Sequence, residues 1–525
     1  MDVSSWPILS VLILLPAAGA VFIFVVLQQN EFLSKLLAFL ISVETVVLAV
    51  FLFRRFDPAD GEMQFVEKMD WIPEFGASYH VGVDGISLFM VMITTVMVTL
   101  AMLSSWDQKG RGQALFYGFL LLLEAGLIGI FLAMDLLLFY VFWEVMLIPM
   151  YFLIGVWGGA NRRYATLKLI IYTMGASLLM LVAILALYFY HHAQVGEYTF
   201  DITKLYGTPI PPEVLLPMAL AFFVAFAVKS PLFPFHTWLT DAHAEAPVSG
   251  AVDITGLLIK TGAYALLRFL LPLFPEFSMS FAPIVVAMAL IANLYGAMLA
   301  AAQNDLKRLI AYASVSHVGL VILGIFVFNV QGIDGAVFMM VSIALCSGGL
   351  FMVVGMIYKR SGTKDISQLG GLWKDMPVLA GFFMFFVVAS VGLPGLSNFV
   401  GEFLIFVGAF KVSVLYGVVA AFVMVLTAVY LLWMFWRVML EKAPERATPW
   451  RDLSMAETVT LTIPAIIVVV IGVYPKILLD RIEPSALKLL GQVKKETAQM
   501  DDLGRWKSLR LVERLKEVKR DKPWR

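Results

Sequence analysis

The chain has 525 residues, of which 61% are hydrophobic and 14% are charged, and its mean hydropathy is +0.88. A soluble protein usually carries about 25% charged residues, so an ordinary core cannot hide this much apolar surface and a membrane protein is expected. Zero net charge argues against a nucleic-acid partner, and the single cysteine, Cys346, excludes a disulfide framework, an iron–sulfur cluster and a structural zinc site.

About fourteen apolar segments of roughly 20 residues, the length that a bilayer core requires, follow one another along the chain. They lie near 7–27, 32–53, 86–104, 114–133, 136–157, 166–190, 214–239, 251–272, 278–302, 309–328, 335–357, 377–408, 412–436 and 458–474. Lipid offers no partner to backbone N–H and C=O groups, so all of them are predicted to be helical. The first segment lacks the basic start and cleavage site of a signal peptide, and we expect it to be retained.

The connections between these segments predict an orientation. Basic residues concentrate in the odd-to-even connections, at Lys109, Arg111, Arg162, Arg163, Lys307, Arg308, Lys359, Arg360, Arg437, Lys442 and Arg446. The positive-inside rule places these connections in the cytoplasm and both termini on the outer face. The loop 54–85 also carries basic residues, but it is long, so the rule is weak there. It is predicted to contain a short hairpin on the outer surface.

Two segments are interrupted near their middles. The seventh contains "KSPLFPFH", which begins at Lys229, and the twelfth contains "SVGLPGLSNFVGEF". Paired broken helices in corresponding places of two halves are typical of a transport site near the membrane midplane. We therefore predict an all-α fold with two inverted five-helix repeats. The predicted units are 1–110 (helices 1–3), 111–275 (helices 4–8), 276–440 (helices 9–13), 441–480 (the last membrane helix) and 481–525 (a charged amphipathic tail).

Ionisable residues inside the apolar segments identify the candidate site. Each costs about 2.5–3.5 kcal/mol near a bilayer centre, and helix packing alone does not call for several of both signs. The main candidates are Glu144, Lys229, Lys260, His317 and Glu402, with Glu124 and His236 as secondary candidates. Burial brings the pKa values of glutamate and lysine toward the physiological range, where that of histidine already lies. The set therefore predicts a proton relay.

Other charged residues have simpler interpretations. Lys168 and Arg268 lie near segment ends and are interpreted as core residues with satisfied charges or as long side chains that reach the interface. Asp253 lies seven residues before Lys260, about 10 Å along a helix. It is either a carboxylate that favours a helix N-terminus or the mouth through which protons reach Lys260. The tail from residue 481 is predicted to be a solvated amphipathic helix or a partner-docking segment.

Several long motifs resemble one known family. "FYVFWEVMLIPMYFLIGVWGG", "KSPLFPFHTWLTDAHAEAP", "LIAYASVSHVGLVILG", "QLGGLWKDMP" and "GLPGLSNFVGEFLI" are similar to the antiporter-like membrane subunits of respiratory complex I. The resemblance spans about residues 1–480. "VGVDGISLFMVMITT" and Glu402 favour one branch of this family over its sister chains.

The resemblance implies a proton-translocating subunit of NADH:quinone oxidoreductase in the bacterial inner membrane. It implies a glutamate–lysine pair at Glu144 and Lys229, a central relay at Lys260 and His317, and outward release at Glu402. Its expected partners are the sister antiporter-like chains and other membrane-arm subunits. NADH and quinone would bind to other subunits, and no cofactor, metal or tightly bound quinone is expected in this chain.

The sequence departs from the family pattern at three positions. Ile343 replaces a histidine of the eleventh helix, so another polar group, water or a shorter relay must serve there. Thr240 stands where proline is usual, and Asp253 where an apolar residue is usual. Two other functions remain open: a cation/proton antiporter subunit of a multisubunit exchanger, or a membrane subunit of a hydrogenase or another donor-linked dehydrogenase.

Overall fold

The computed structural model describes residues 6–107, 112–442 and 450–502, with the side chains of 253–255 and 496–502 left out. Lys109, Arg111, Arg446 and the tail beyond residue 502 lie outside the described residues. The long helices within these ranges are α1 (Ile8–Leu27), α2 (Glu31–Arg55), α3 (Gly85–Ser104), α4 (Gln113–Leu132), α5 (Leu136–Trp157), α6 (Arg162–Val195), α7a (Pro212–Lys229), α7b (Thr237–Glu245), α8 (Val248–Leu273), α9 (Pro275–Ala301), α10 (Leu306–Phe326), α11 (Val330–Ser361), α12a (Pro377–Val391), α12b (Ser397–Val412), α13 (Val414–Leu440), α14 (Met455–Val473) and α15 (Lys476–Asp502).

The helices confirm the predicted all-α membrane architecture. Thirteen of the described helices are long and apolar enough to cross a membrane, and the two halves of α12 supply a fourteenth crossing. Helices α8, α10 and α11 lie inside the bundle, with nearly all of their side chains buried. Helices α6 and α14 instead expose large apolar side chains such as Val182 and Ile466, as expected of surfaces that face lipid.

Helix α7 is broken where the sequence predicts it. Helix α7a ends at Lys229, and α7b begins at Thr237. Pro231 and Pro234 lie in the gap and have no backbone N–H to donate, so a continuous helical ladder cannot form there. The Ser230 N–H still donates to the Phe226 carbonyl at 2.8 Å, which closes the last turn of α7a.

Helix α12 is broken by glycine geometry. Gly392 and Gly395 have φ angles of +83° and +93°, a left-handed conformation that disfavours other residues, and Pro394 precedes the second. Helices α7 and α12 are each fourth in their predicted group of five, which places the two breaks in corresponding positions. The division of the chain into repeats at the stated boundaries stays a prediction.

One end of the bundle carries a two-stranded antiparallel hairpin, β1 (Gln64–Ile72) and β2 (Ala77–Val83), as predicted. Lys68 and His80 face each other across the strands, and Asp201, from the connection after α6, contacts both at 2.6 and 3.1 Å. Asp135 caps α5 and accepts the Ser78 N–H at 3.0 Å. We call this the hairpin end. The opposite end, which holds the odd-to-even connections, is the basic end.

The described part of the tail differs from a solvated helix. Helix α15 lies across the hairpin end and packs against α3, α9 and α11. Its buried apolar side chains include Leu478, Ile482, Ala486, Leu489, Leu490 and Val493. The Ser485 hydroxyl accepts the Gly85 N–H at 3.0 Å, at the start of α3. The helix is amphipathic as predicted, but its apolar face contacts the chain itself.

Candidate functional site

The first part of the site lies between α5 and α7a. Lys229 is buried, and the negative charge of Glu144 acts on its ammonium group. The Lys229 Nζ lies 4.8 Å from the centre of the Trp143 ring, and no described residue accepts a hydrogen bond from it. An aromatic face attracts a cation without removing its proton. The predicted pair is therefore in electrostatic contact but not joined as a close salt bridge.

Lys260 lies on α8, next to the break in α7. Two residues further along, a Cβ on Gly262 would lie 2.6 Å from the Ser230 backbone nitrogen, so only glycine permits this close approach of the two helices. Lys260 is buried, and its charge acts on His317 of α10. The structure thus brings together the predicted central residues, although they come from different helices.

His243 of α7b is a buried histidine that was missed in the prediction. The charges of Lys260 and Lys307 both act on its ring. The signal was present in "HTWLTDAH", where His243 follows His236 by seven residues, about two helical turns. That spacing puts both histidines on one side of the broken helix, but it does not tell which of them faces Lys260.

A cavity of about 620 Å³ opens at the basic end beside Lys307. The Lys307 Nζ donates to the Ala246 carbonyl at 2.8 Å. Lys364, also in the lining, lies 3.2 Å from an Asp305 oxygen and 3.7 Å from a Glu245 oxygen. Lys307 is thus a lining residue of this cavity whose charge also reaches the buried His243 ring.

Glu402 occupies the break in α12. Its Oε2 atom lies against Gly392, where an added Cβ would approach it to 2.3 Å. The carboxylate is buried, and its charge acts on Cys346 of α11 and Tyr430 of α13. The twelfth-helix candidate therefore faces inward, among the helices of the second half.

A buried polar cluster stands beside the position of the missing histidine. Ser342 forms hydrogen bonds with Ser397 and Asn398, both in the first turn of α12b. Ile343 itself is fully buried and apolar. Of the alternatives predicted for this step, the one that required another polar group is therefore met by Ser342, Ser397 and Asn398. Sequence reasoning passed over these residues because serine and asparagine carry no charge.

The secondary candidates lie apart from the ionisable groups described above. Glu124 on α4 accepts a hydrogen bond from Thr45 of α2, in a cluster of hydroxyl groups. His236 immediately precedes α7b, and its ring lies 5.5 Å from that of Tyr295 on α9. Asp253 lies six residues into α8, because the helix begins at Val248. Its side chain is outside the described residues, so both of its interpretations stay predictions.

Lys168 and Arg268, interpreted from the sequence as structural residues, each form an ion pair. Lys168 lies 2.8 Å from Asp241, and Arg268 lies 2.5 Å from Asp84. Thr240 continues α7b and donates weakly to the Thr237 carbonyl at 3.4 Å, so the absent proline leaves the helix intact. Among the residues that the structure describes, no group of three or more His, Cys, Asp or Glu side chains is arranged to hold a metal ion.

Comparisons with known proteins identify the family. Residues 133–427 match the family described as NADH:quinone oxidoreductase/Mrp antiporter, TM. The NADH-quinone oxidoreductase subunit M of Pseudomonas aeruginosa is 42% identical over 490 residues, covering 90% of this chain and 95% of that protein. The chain belongs to the NADH-quinone oxidoreductase subunit M family. The branch favoured by "VGVDGISLFMVMITT" and Glu402 is thereby confirmed.

Solved structures agree with this family. A chain of respiratory complex I from Thermus thermophilus with bound NADH has a TM-score of 0.84 and 31% identity, covering 92% of this chain and 99% of its own. A chain of the Mrp complex from Dietzia sp. has a TM-score of 0.83, covering 95% and 99%, but at 21% identity it shows the fold alone. The chain is a multi-pass membrane subunit of a multisubunit enzyme complex, and its function is the proton-translocating one of subunit M in NADH:quinone oxidoreductase.

Proposed function

We propose that protons cross this subunit along the buried ionisable side chains described above. They enter through the cavity at the basic end, pass Lys307 and His243, and reach Lys260. From there they move by His317 and the polar cluster of α11 and α12b to Glu402, and leave at the hairpin end. The observation that supports this proposal is the set of buried ionisable groups of both signs, contributed by several helices of the bundle. Such groups in a membrane core mark ion pathways.

The Glu144–Lys229 pair would drive the transfer. Two unit charges a few ångströms apart interact by several kcal/mol where the effective dielectric constant is about 20. Drawing the Lys229 ammonium toward Glu144 removes positive charge from the break beside Lys260, and releasing it restores that charge. A change in the pair therefore changes how strongly Lys260 holds its proton. Waters would bridge gaps such as that between His317 and Ser342, since bridged hydrogen bonds are nearly as favourable as direct ones.

The orientation and partners follow from the same proposal. The basic end faces the cytoplasm by the positive-inside rule, so the hairpin end and both termini lie on the outer face of the bacterial inner membrane. The sister antiporter-like chains are the neighbours in the membrane arm. Flavin, iron–sulfur clusters and bound quinone belong to other subunits, and this chain contributes to the translocase without redox chemistry of its own.

Replacing Glu402 tests the proposal. Glu402→Gln keeps the size of the side chain, but its amide cannot take up and release a proton, so we expect the assembled complex to lose most NADH-driven proton translocation. Glu402→Asp is the matched control, since it retains a carboxylate and should keep part of the activity. Glu402→Gln complex that translocates protons like the wild type would show that the outward step lies elsewhere.

A cation/proton exchanger remains the second candidate because the Dietzia Mrp chain shares the fold. Carboxylates alone do not separate Na⁺ from H⁺. Proton translocation by the complex in nominally sodium-free proteoliposomes separates the two functions. A translocation rate that is the same without and with added Na⁺ supports proton transfer, and a rate that requires added Na⁺ supports exchange.

A further inference from the structure

Helix α8 carries a second set of polar residues that points from Lys260 toward the hairpin end. Lys260, Tyr264 and Arg268 are spaced four residues apart, so they lie on one face over about 12 Å of helix. Arg268 then lines a cavity of about 350 Å³ at the hairpin end, together with Tyr206, residues of α15 and Asp84, which caps α3. A short polar column therefore separates Lys260 from a cavity on the side to which protons are delivered.

The hydrogen bonds of this column run in a fixed direction. The Arg268 Nε–H donates to the Tyr264 hydroxyl at 3.2 Å, and that hydroxyl donates to the Phe131 carbonyl at 2.8 Å. The column thus ends on a backbone carbonyl of α4 and not on Lys260. A proton that arrived at the Tyr264 hydroxyl could not be relayed further, because the carbonyl that accepts its hydrogen bond has no proton of its own to donate onward.

Asp84 holds the guanidinium in place. Its Oδ2 lies 2.5 Å from the Arg268 Nη2, and both side chains are almost wholly buried, at 5% and 11% exposure. Its Oδ1 accepts the Ile86 and Ser87 N–H groups at the start of α3. The carboxylate is therefore fixed by the helix that it caps, and the arginine has little freedom to swing out of the column.

We propose that Arg268, held by Asp84, is a proton seal that keeps the hairpin-end cavity from exchanging protons with Lys260. A guanidinium has five donor hydrogens and no acceptor, and it stays protonated in proteins, so it cannot pass a proton along a chain of hydrogen bonds. A fixed arginine charge also opposes the entry of protons, as in other membrane pores. The inference rests on the proposed function, because a seal matters only if Lys260 carries transported protons.

The seal would direct protons from Lys260 into the second half of the molecule. Without it, protons on Lys260 would have a route of about 12 Å to the hairpin end, bypassing His317 and Glu402. Protons driven outward would return by the same route, and the gradient built by the complex would decay. Arg268 is thus a positioning and barrier residue, and the measurement that reports on it is passive leak.

The chain offers a matched control. Arg360 of α11 pairs with Glu457 of α14 at 2.7 Å, with side-chain exposures of 14% and 15%. This pair lies at the basic end, away from the column on α8. Losing it removes another arginine–carboxylate ion pair, together with the hydrogen bonds from Arg360 to the Arg451 and Asp452 carbonyls, but it opens no route between Lys260 and the hairpin-end cavity.

The experiment measures passive proton leak in proteoliposomes of the purified complex, without NADH, after a pH gradient is imposed. Arg268→Met should collapse the gradient several-fold faster than the wild type, whereas Arg360→Met should not. Arg268→Lys, which keeps a cation and should assemble readily, should also leak, and more so as the pH rises, because a lysine can release its proton.

Three results would overturn the seal. They are an imposed pH gradient that decays at the wild-type rate in both Arg268 variants, an equal leak in Arg268→Met and Arg360→Met, or a loss of NADH-driven translocation in Arg268→Met without any leak. The last would place the column in the outward path. Because leak is measured without turnover, its outcome is separate from that of Glu402→Gln, which tests the proposed function in vesicles that hold their gradient.

Discussion

Replacing Gly392 by alanine should displace the Glu402 carboxylate while leaving the fold intact. The left-handed backbone at φ +83° costs a residue with a Cβ about 1–2 kcal/mol. The new Cβ would lie 2.3 Å from Oε2, whereas ordinary contacts begin at 3.4 Å. The carboxylate is the far end of a flexible side chain, so it can retreat by about 1 Å. Such a misplacement of a reacting group can cost about 10²-fold in rate.

Gly395 supplies the control within the same break. Its φ of +93° imposes a similar backbone cost, but no atom lies within 4 Å of an added Cβ. Both variants are assembled into the complex, quantified on native gels and assayed for NADH-driven proton uptake by proteoliposomes. We expect Gly392→Ala to lose ten- to a hundredfold in rate and Gly395→Ala to lose little. Equal rates in the two variants would refute the role given to the Gly392–Glu402 contact.

Three further predictions concern other parts of the molecule. Lys229→Met removes the charge that Glu144 attracts and should abolish proton uptake in assembled complex, whereas Lys229→Arg keeps a charge and should retain part of the uptake; an equal loss in both variants would mean that Lys229 itself must release a proton. Removing residues 481–525 uncovers the apolar surface beneath α15, so it should reduce assembly without altering protons translocated per electron, and an altered ratio at normal abundance would contradict this. Burial alone raises the pKa of Asp201, but hydrogen bonds from His80 and Lys68 outweigh it and hold the pKa well below its usual range. The stabilisation is therefore complete above about pH 5 and is lost progressively at lower pH. Hydrogen exchange of the hairpin amides, corrected for the intrinsic exchange rate at each pH, should show equal protection at pH 5 and pH 7 in the wild type and less protection in Asp201→Asn; equal protection in the variant would contradict this.

Much of the architecture could be predicted because it depends on local pattern. Apolar length determines the membrane helices, and the prolines after Lys229 and the glycines around Pro394 determine the breaks. Buried charge is costly in lipid, so Glu144, Lys229 and Lys260 could be recognised as isolated ionisable residues within apolar segments. The one long element that the pattern described incompletely was the tail, whose amphipathic face suits a partner as well as the chain's own hairpin end.

The arrangement of the site could not be predicted in the same way, because it depends on which helices pack together. His243 and Lys307 are far apart in sequence, and the charge of Lys307 reaches His243 only because α7b packs against α10. The hydrogen bonds of Ser342 require the break in α12 to bring Asn398 beside α11. The sequence left open whether Arg268 is a core residue with a satisfied charge or an interfacial side chain, because its partner, Asp84, caps a different helix.

The central claim is that protons pass through Lys260, and proton translocation by Lys260→Met complex tests it most directly. Lys359→Met is the control, since Lys359 is an exposed lysine of the basic end, paired with Asp107 and outside the relay. Initial rates of NADH-driven proton uptake are measured in sealed proteoliposomes that contain equal amounts of assembled complex. The account predicts a severe loss of proton uptake in Lys260→Met and a wild-type rate in Lys359→Met. A wild-type rate in Lys260→Met would contradict it.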